Sequence, residues 1–518
     1  MESALIAPQV HEWALRSKAR IGKRLNGKVQ TSRRRKLLLV HLDGVPRSVL
    51  ERAIAEERMP FLARLVKSGV YRMDSAFWGS PASTPAFQAG LLYGVRHPNL
   101  PAYHWFDREL GRVVRMNVPK DALSIEQRVE GLARGSLLED GGTTYLSLFR
   151  AQATNELAMT SLANLRAMVP DLCCQFRGLR AVSRRTVLRY IADLVQDTWH
   201  AGLDALRWVR QQGDHRHEIQ FMLNRFAVVS LGWGLAWNRA LIDMVRGVPA
   251  IYLVFGNFDE VAHRRGPFSV QATDELFDAD QALEELYVMA KAVDEPYDVV
   301  LVTDHGHVDS VPFEKRDGRK LESYLMDVEP APLSDAVTTA LRDGREVPHA
   351  NGEARDEPVV IEAGNFAHVY LSRGQQPLES LQLLSRHGNV LARAMKSPEI
   401  GIVALRRGDS AVAIIGGGVY GPGEIDRSPL ASEFSRNAVS DLLRELPRMP
   451  TAGDLVLYGE AMNPGATVGF AWEFGSHGGL TRTETDSVVL WPGDAPLDLR
   501  GLNHSTQLHQ KLSEVYRS

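Results

Sequence analysis

The sequence has only two cysteines among 518 residues, and they are neighbours, Cys173 and Cys174. Adjacent cysteines rarely bridge, and no third is present to pair with either. A disulfide framework and a thiolate metal site are therefore excluded, and the usage fits a reducing compartment. Charge of one sign is lacking as well: 60 Lys and Arg against 63 Asp and Glu leave a net −3. Bulk charge thus gives no case for nucleic-acid binding. No apolar run has the length of a bilayer span, since even the most apolar window, Phe226–Leu241, holds Asn238 and Arg239. No signal-peptide core follows the first residues. Internal repeats and low-complexity tracts are also missing. The expectation is a cytoplasmic globular protein, soluble or peripheral to the membrane, with 44% apolar residues to build its core.

Four stretches are distinguishable along the chain. Residues 1–35 are a basic N-terminal segment with Arg16, Lys18, Arg20, Lys23, Arg24, Lys28 and the run Arg33–Lys36 at its end. It reads as a solvated, partly disordered tail, or as a contact with anionic lipid if an apolar face lies beside the charges. From Lys36 the text changes. KLLLVHLDG, AIYLVFGNFDE (Ala250–Glu260) and YDVVLVTDHGH (Tyr297–His307) are short apolar runs ending in turn residues, the pattern of strands buried on both faces. Between the last two, Ala272–Val293 carries apolar residues at helical spacing, so strand, helix and strand predict a mainly parallel sheet with crossover helices. Residues 147–247, rich in Arg, Leu, Ala and Trp, lack strand-like runs and predict a helical insertion or cap between core parts 36–146 and 248–518. Trp199, Trp208, Trp233 and Trp237 among its arginines suit either a lipid headgroup boundary or an amphipathic cap packed on the core. Later strand candidates are Pro358–Leu371, Ile400–Leu405, Ala411–Ile415, Asp454–Tyr458 and Val488–Trp491.

Three strand candidates end in turns containing Asp43, Asp259 and Asp304. In an open parallel sheet, functional groups gather beyond the carboxyl ends of the strands. A single such Asp is an ordinary turn or cap residue. Three of them, two accompanied by a histidine, point to a site. Asp259 and His263 are four apart, which on a helix puts both on one face and lets them grip one ion. Asp304 and His305 are adjacent, and Gly306 lets the backbone turn so that both approach a second ion. FGSHGG places His477 in a glycine-flanked loop. Mixed imidazole and carboxylate ligation suits zinc first, with manganese or iron as alternatives. Two divalent ions about 4 Å apart could clamp a phosphoryl group. The segment GSPASTPAFQAGLLYG supplies a nucleophile: Thr84 precedes Pro85 and a helix-like apolar stretch, with Ser83 beside it as a rival.

VHLDG, STPAFQAGLLYG, FDEVAH with a following GP, TDHG and SHGG occur in the order found in the alkaline phosphatase superfamily. The chain resembles its nucleotide pyrophosphatase/phosphodiesterase-like branch, from about Leu37 to Pro492. The resemblance implies an alkaline-phosphatase-like α/β core with the helical insertion added. It implies Asp43, Asp304 and His305 around one ion that also contacts the Thr84 hydroxyl, and Asp259, His263 and His477 around the other. It further implies that Thr84 attacks phosphorus, and that the resulting covalent phospho-threonine is released by water activated at the second ion. A threonine nucleophile resembles the phosphodiesterases more than the phosphomonoesterases, which commonly use serine. Relatives that cleave nucleotide diesters carry an asparagine downstream of the nucleophile. Here that neighbourhood reads AYHWFD, with His104 and Trp105, and Asn99 is out of register. The expected substrate is a small-molecule or lipid-linked phosphate ester. The alternatives are a phosphomonoesterase or phosphoryl transferase on the same site, and a metal-stabilised binding module without turnover.

Overall fold

The computed structural model describes residues 6–25, 35–96, 99–164, 195, 199, 202–210, 215–224, 232–346, 356–461 and 467–517. Cys173, Cys174, Lys28, Arg33 and Arg34 lie outside the described residues. The run Lys36–Leu42 is a strand buried along its whole length. It is central in a seven-stranded sheet ordered Tyr71–Ala76, Ser487–Pro492, Tyr297–Thr303, Lys36–Leu42, Ala250–Phe255, Thr143–Ser147, Asn155–Ala158. Lys36–Leu42 pairs in parallel with Ala250–Phe255 on one side and Tyr297–Thr303 on the other. Ser487–Pro492 runs against both of its neighbours.

The strands are apolar on both faces because helices cover both. One core cluster unites the sheet with helices Pro60–Lys67, Trp233–Arg246 and Val270–Ala292. A second unites the opposite face with helices Thr84–Tyr93, Pro119–Leu132 and Ser505–Tyr516. The expected α/β core with a mainly parallel, helix-flanked sheet is thus the observed architecture.

A separate antiparallel sheet of six strands is ordered Val359–Ala363, Phe366–Tyr370, Leu455–Gly459, Ile400–Arg407, Ser410–Ile415, Gly418–Tyr420. Helix Ser380–Lys396 packs in the apolar cluster on one of its faces and helix Glu433–Glu445 in the cluster on the other. Pro358–Leu371, read as one strand from its apolar content, is a hairpin that turns at Gly364. A side chain there would be strained by a φ of +77° and would approach the His477 carbonyl to 2.4 Å.

Two further expectations are corrected. Within the basic segment, Pro8–Leu25 is not a solvated tail but a helix that buries Ala14, Ser17 and Ile21. Its charges hide an apolar stripe at helical spacing, and Trp13 stacks on Trp237 with ring centroids 6.0 Å apart. The stretch 147–247 is not purely an insertion. Asn155–Ala158 extends the central sheet in parallel to Thr143–Ser147, and Trp233–Arg246 belongs to the covering helix layer. Four residues with little apolar alternation carry no strand signal of their own. The tryptophans divide: Trp237 is buried, Trp233 packs on Phe255 and Trp208 on Phe474, as in a cap packed on the core, while Trp199 is 67% exposed. No helix among the described residues is long and apolar enough to cross a membrane.

Candidate metal centre

The parallel registers align the strand ends: Leu42 lies opposite Phe255 on one side and opposite Thr303 on the other. The residues that follow therefore emerge at one level. The Asp43 amide donates to the Phe255 carbonyl at 3.0 Å, and the Gly44 amide donates to Asp304 Oδ1 at 3.1 Å. Gly44 has φ +70°, and a Cβ there would lie 2.4 Å from Asp259 Oδ1, so the position requires glycine.

Helix Asn257–Arg265 opens one residue after its strand and places Asp259 and His263 on one face, Oδ2 to Nε2 3.4 Å. The expected four-residue spacing holds. His305 Nε2 lies 3.3 Å from Asp304 Oδ2 and 3.9 Å from Asp43 Oδ1. The His477 ring stacks on His305 at 3.8 Å between centroids and sits 5.0 Å from that of His263. Thr84 begins the helix Thr84–Tyr93, and its hydroxyl donates to Asp43 Oδ1 at 3.4 Å and lies 3.3 Å from His305 Nε2. Ser83 Oγ is buried with no hydrogen-bond partner. All seven residues singled out in the sequence thus converge on one site.

The structure adds three residues. His307, two positions beyond His305, joins Asp259, His263 and His477 in a set whose ligand atoms all lie within 4.8 Å of one another. Its Nδ1 is 2.9 Å from the Gly44 carbonyl, to which it can only donate, so Nε2 keeps its lone pair facing the cluster. His41, inside the strand, holds Tyr252 through Nδ1 at 2.8 Å and reaches Asp304 Oδ1 with Nε2 at 3.2 Å. Glu473 lies 3.1 Å from His263 Nδ1 and accepts from Ser476 at 3.0 Å, the carboxylate–histidine arrangement that orients metal ligands. The signal for His307 was present in TDHGH. His41 was concealed inside an apolar run, and Glu473 has no local signature.

Three donor sets emerge among the described residues: Asp259, His263, His307 and His477; His41, Asp43 and Asp304; and Asp43, Asp259 and His305. The first contains the trio the resemblance implied. In the other two Asp43 is shared, while Asp304 and His305 fall in different sets. Burial and the nearby Asp304 and Asp259 carboxylates push Asp43 well above the usual carboxylate range. Burial also opposes the Asp259 charge, but His263 and His307 outweigh it and hold that carboxyl well below its ordinary value. Burial lowers His307 to about 3 and puts His477 well below the usual imidazole value, so both are neutral, as ligands must be. Buried atoms without a hydrogen-bond partner include Asp259 Oδ1, Asp304 Oδ2, His305 Nδ1, His307 Nε2 and His477 Nδ1. Carboxylates crowded together with unpartnered imidazole nitrogens fit divalent cations.

Facing the cluster, Tyr103 is within electrostatic reach of Asp43 and Asp259, and burial is the first reason its hydroxyl is raised above the ordinary tyrosine value. The neighbouring His104 ring lies 5.2 Å away. Asn99 accepts instead from Thr451, at 3.3 Å.

The model of the family described as type I phosphodiesterase / nucleotide pyrophosphatase matches residues 37–403. The chain belongs to that family. Its place is in the alkaline phosphatase superfamily, on the nucleotide pyrophosphatase/phosphodiesterase-like branch, and it is a phosphoester hydrolase. No curated protein matches it in sequence. Among solved structures it is similar to phosphonoacetate hydrolase from Sinorhizobium meliloti 1021, with 15% identity, 93% of this chain and 96% of that one covered, and a TM-score of 0.47. It is also similar to murine ectonucleotide pyrophosphatase/phosphodiesterase 5, with 12% identity, 93% and 95% covered, and a TM-score of 0.44. A mutant of alkaline phosphatase PafA gives 14% identity, 94% and 97% covered, and a TM-score of 0.47.

Proposed function

We propose that this family member cleaves a phosphodiester of a small or lipid-linked alcohol, with Thr84 as nucleophile beside two divalent metal ions, zinc in the first instance. The observation that carries the reading is the position of the Thr84 hydroxyl, at a helix N-terminus and within 3.4 Å of both Asp43 and His305. Asp259, His263 and His477, with His307, would hold one ion; Asp43, Asp304 and His305 would hold the other. Bound there, the ions would neutralise phosphoryl oxygens and favour the ionised hydroxyl of the nucleophile.

The chain's own residues supply the rest. Asp43 accepts the Thr84 hydrogen bond and so aims the hydroxyl oxygen into the cluster. The N-terminus of helix Thr84–Tyr93 would offer phosphate oxygens the positive end of the helix dipole. Attack by Thr84 Oγ forms a P–O bond and breaks the bond to one esterified alcohol, which leaves with the threonine proton, so that Thr84 becomes joined to phosphorus as an ester whose phosphate still carries the second alcohol. Water then cleaves that ester and restores the hydroxyl. Tyr103, within electrostatic reach of Asp43 and Asp259, and His104, whose Nε2 is buried without a hydrogen-bond partner, follow the nucleophile in the stretch where the resemblance leads one to expect asparagine, and would donate to a phosphate oxygen in its place.

The test is a panel of chromogenic aryl phosphodiesters and monoesters, paired with metal analysis of the purified chain. Thr84→Ala is expected to abolish diester hydrolysis, a loss of at least about 1,000-fold by the scale set by removal of a nucleophile, while metal content stays near that of the unaltered protein. Diester hydrolysis surviving in Thr84→Ala would sink the mechanism. Monoesters cleaved in strong preference to diesters would transfer the same site to a phosphomonoesterase.

A further inference from the structure

Helix Asn257–Arg265 has only nine residues, no side-chain cap at its start, and ends at Gly266 with φ +89°. Helices this short are marginal by themselves, so tertiary contacts must hold its ends. Its inner side is anchored by Phe258, Val261 and Ala262 in the core. The two residues directly after His263 are Arg264 and Arg265, and both turn into the helical insertion. Glu218, on insertion helix His215–Asn224 and 1% exposed, accepts from Arg264 Nε at 3.0 Å and Nη2 at 2.6 Å. The same carboxylate accepts from Arg265 Nη1 at 3.0 Å and Nη2 at 2.8 Å. Asp204, on insertion helix 202–210, takes Arg265 Nε at 2.7 Å. The Arg265 guanidinium lies 4.4 Å from the Trp208 ring centre and 5.0 Å from that of Phe221, both insertion residues.

The contacts continue to the other ligand-bearing segment. Trp208 meets Phe474 edge to face at 5.1 Å between centroids. The Phe474 amide donates to the His263 carbonyl at 2.9 Å. Glu473, one residue earlier, touches His263 Nδ1, and His477 follows three residues later. One knot of insertion side chains therefore braces both segments that carry Asp259, His263 and His477.

We propose that Arg265, held by Glu218 and Asp204 and stacked on Trp208, is a positioning residue for the Asp259, His263 and His477 half of the metal centre, so that the insertion is part of the metal-binding scaffold and not only a cover. A guanidinium clamped from two sides fixes the rotation of a short helix as a single-point charge would not. Rotation of that helix by a few degrees would carry Asp259 and His263 together away from His307 and His477, the other members of their set, and supporting contacts of this kind govern affinity.

The inference rests on the proposal that this half-site holds a metal, and the experiment separates the two. The full chain, stripped with chelator and checked for folding by circular dichroism, is titrated with Zn2+ against a competing chelating dye. Two equivalents are expected for the unaltered protein. Glu218→Gln, which keeps the shape and removes one charge, is expected to weaken one equivalent about 10–100-fold and leave the other in place. Trp208→Leu removes the stack without unpairing a buried charge, so it serves where Glu218→Gln does not fold, and it should weaken the same equivalent. Two equivalents of unaltered affinity in either folded variant would overturn the positioning role alone. No binding by the unaltered protein would overturn the metal reading together with it. Equal weakening of both equivalents would also overturn the role, because it would report a general loss of structure.

Discussion

At the scale of single residues, what distinguishes this site is how its histidines are held. His307 is fully buried, its Nδ1–H is committed to the Gly44 carbonyl, and its Nε2 is 3.4 Å from Asp259 Oδ1. A backbone carbonyl on the far nitrogen fixes the tautomer and points the lone pair at the cluster, the arrangement found around metal ligands. His307→Ala is accordingly expected to lower the affinity of the metal equivalent held by Asp259 and His263 about 10–100-fold, read by the same dye competition. An unchanged affinity would reduce His307 to core packing. A second residue acts on stability. Asp280 is buried beneath helix Pro60–Lys67 and accepts from the amides of Phe61 and Leu62 at 2.7 and 2.9 Å. Burial nevertheless raises it to about 6. Because the folded value lies above the unfolded one, the native state binds the extra proton between them, and the stability this gives is present in full below about pH 4 and lost as pH rises to about 6. Asp280→Asn should remove that component, so the difference in unfolding free energy between the two proteins should change by about 2–3 kcal/mol across that window. Parallel urea titrations at several pH values check it, and a difference that stays flat with pH would refute the assignment.

At the scale of elements, the site is a consequence of register. Three neighbouring parallel strands end together, so the residue directly after two of them, Asp43 and Asp304, and the first turn of the helix after the third, with Asp259, meet at one level. Short apolar runs closed by turn residues are legible in sequence because strands buried on both faces need no alternation. That is why Asp43, Asp259, Asp304 and His305 stand out in the sequence, while His263 is marked by its four-residue spacing from Asp259 and His477 by its glycine-flanked loop. Other features depend on contacts that no local pattern encodes. His41 faces Asp304 from within a strand, and Glu473 reaches His263 only after the chain has folded back. The division of the later strands into a second, antiparallel sheet is likewise a matter of partner choice, as is the short strand Asn155–Ala158. The turn after Tyr297–Thr303 shows how tightly the elements are fitted. A Cβ on Gly306 would come within 1.9 Å of the Thr483 carbonyl and 2.9 Å of Pro46 Cα, both backbone atoms. Neither can rotate away, so Gly306→Ala must displace the loop that carries Asp304 and His305. It should cost about 3 kcal/mol by the scale of overpacked cores, measured by chemical denaturation. Wild-type stability would mean that the loop is far softer than its contacts indicate.

At the scale of the whole molecule, the candidate metal centre sits where three bodies meet: the end of the parallel sheet, the His477 loop beside the antiparallel sheet, and the helices of Asp204 and Glu218 clamped to Arg264 and Arg265. Gly364 of the antiparallel sheet approaches the His477 carbonyl, and Glu218 of the insertion approaches the helix of Asp259 and His263. Without cations, Asp43 and its neighbouring carboxylates repel across that junction and several buried nitrogens lack partners. Divalent ions would reverse the sign of that repulsion and tie the three bodies together. Ligands that bind only the folded state add stability in proportion to the logarithm of their excess, about 4 kcal/mol per site at 1,000 times the dissociation constant. Chelation should therefore lower the unfolding midpoint, and restoring Zn2+ or Mn2+ should return it. The effect should fade as pH falls, because protons compete for the imidazole and carboxylate ligands. It should also be smaller in Glu218→Gln, where one equivalent is held less tightly. Calorimetry with and without chelator at two pH values distinguishes this from loss of a generic surface ion, which would show no dependence on Glu218. A midpoint indifferent to chelator would mean that the junction is held by packing alone.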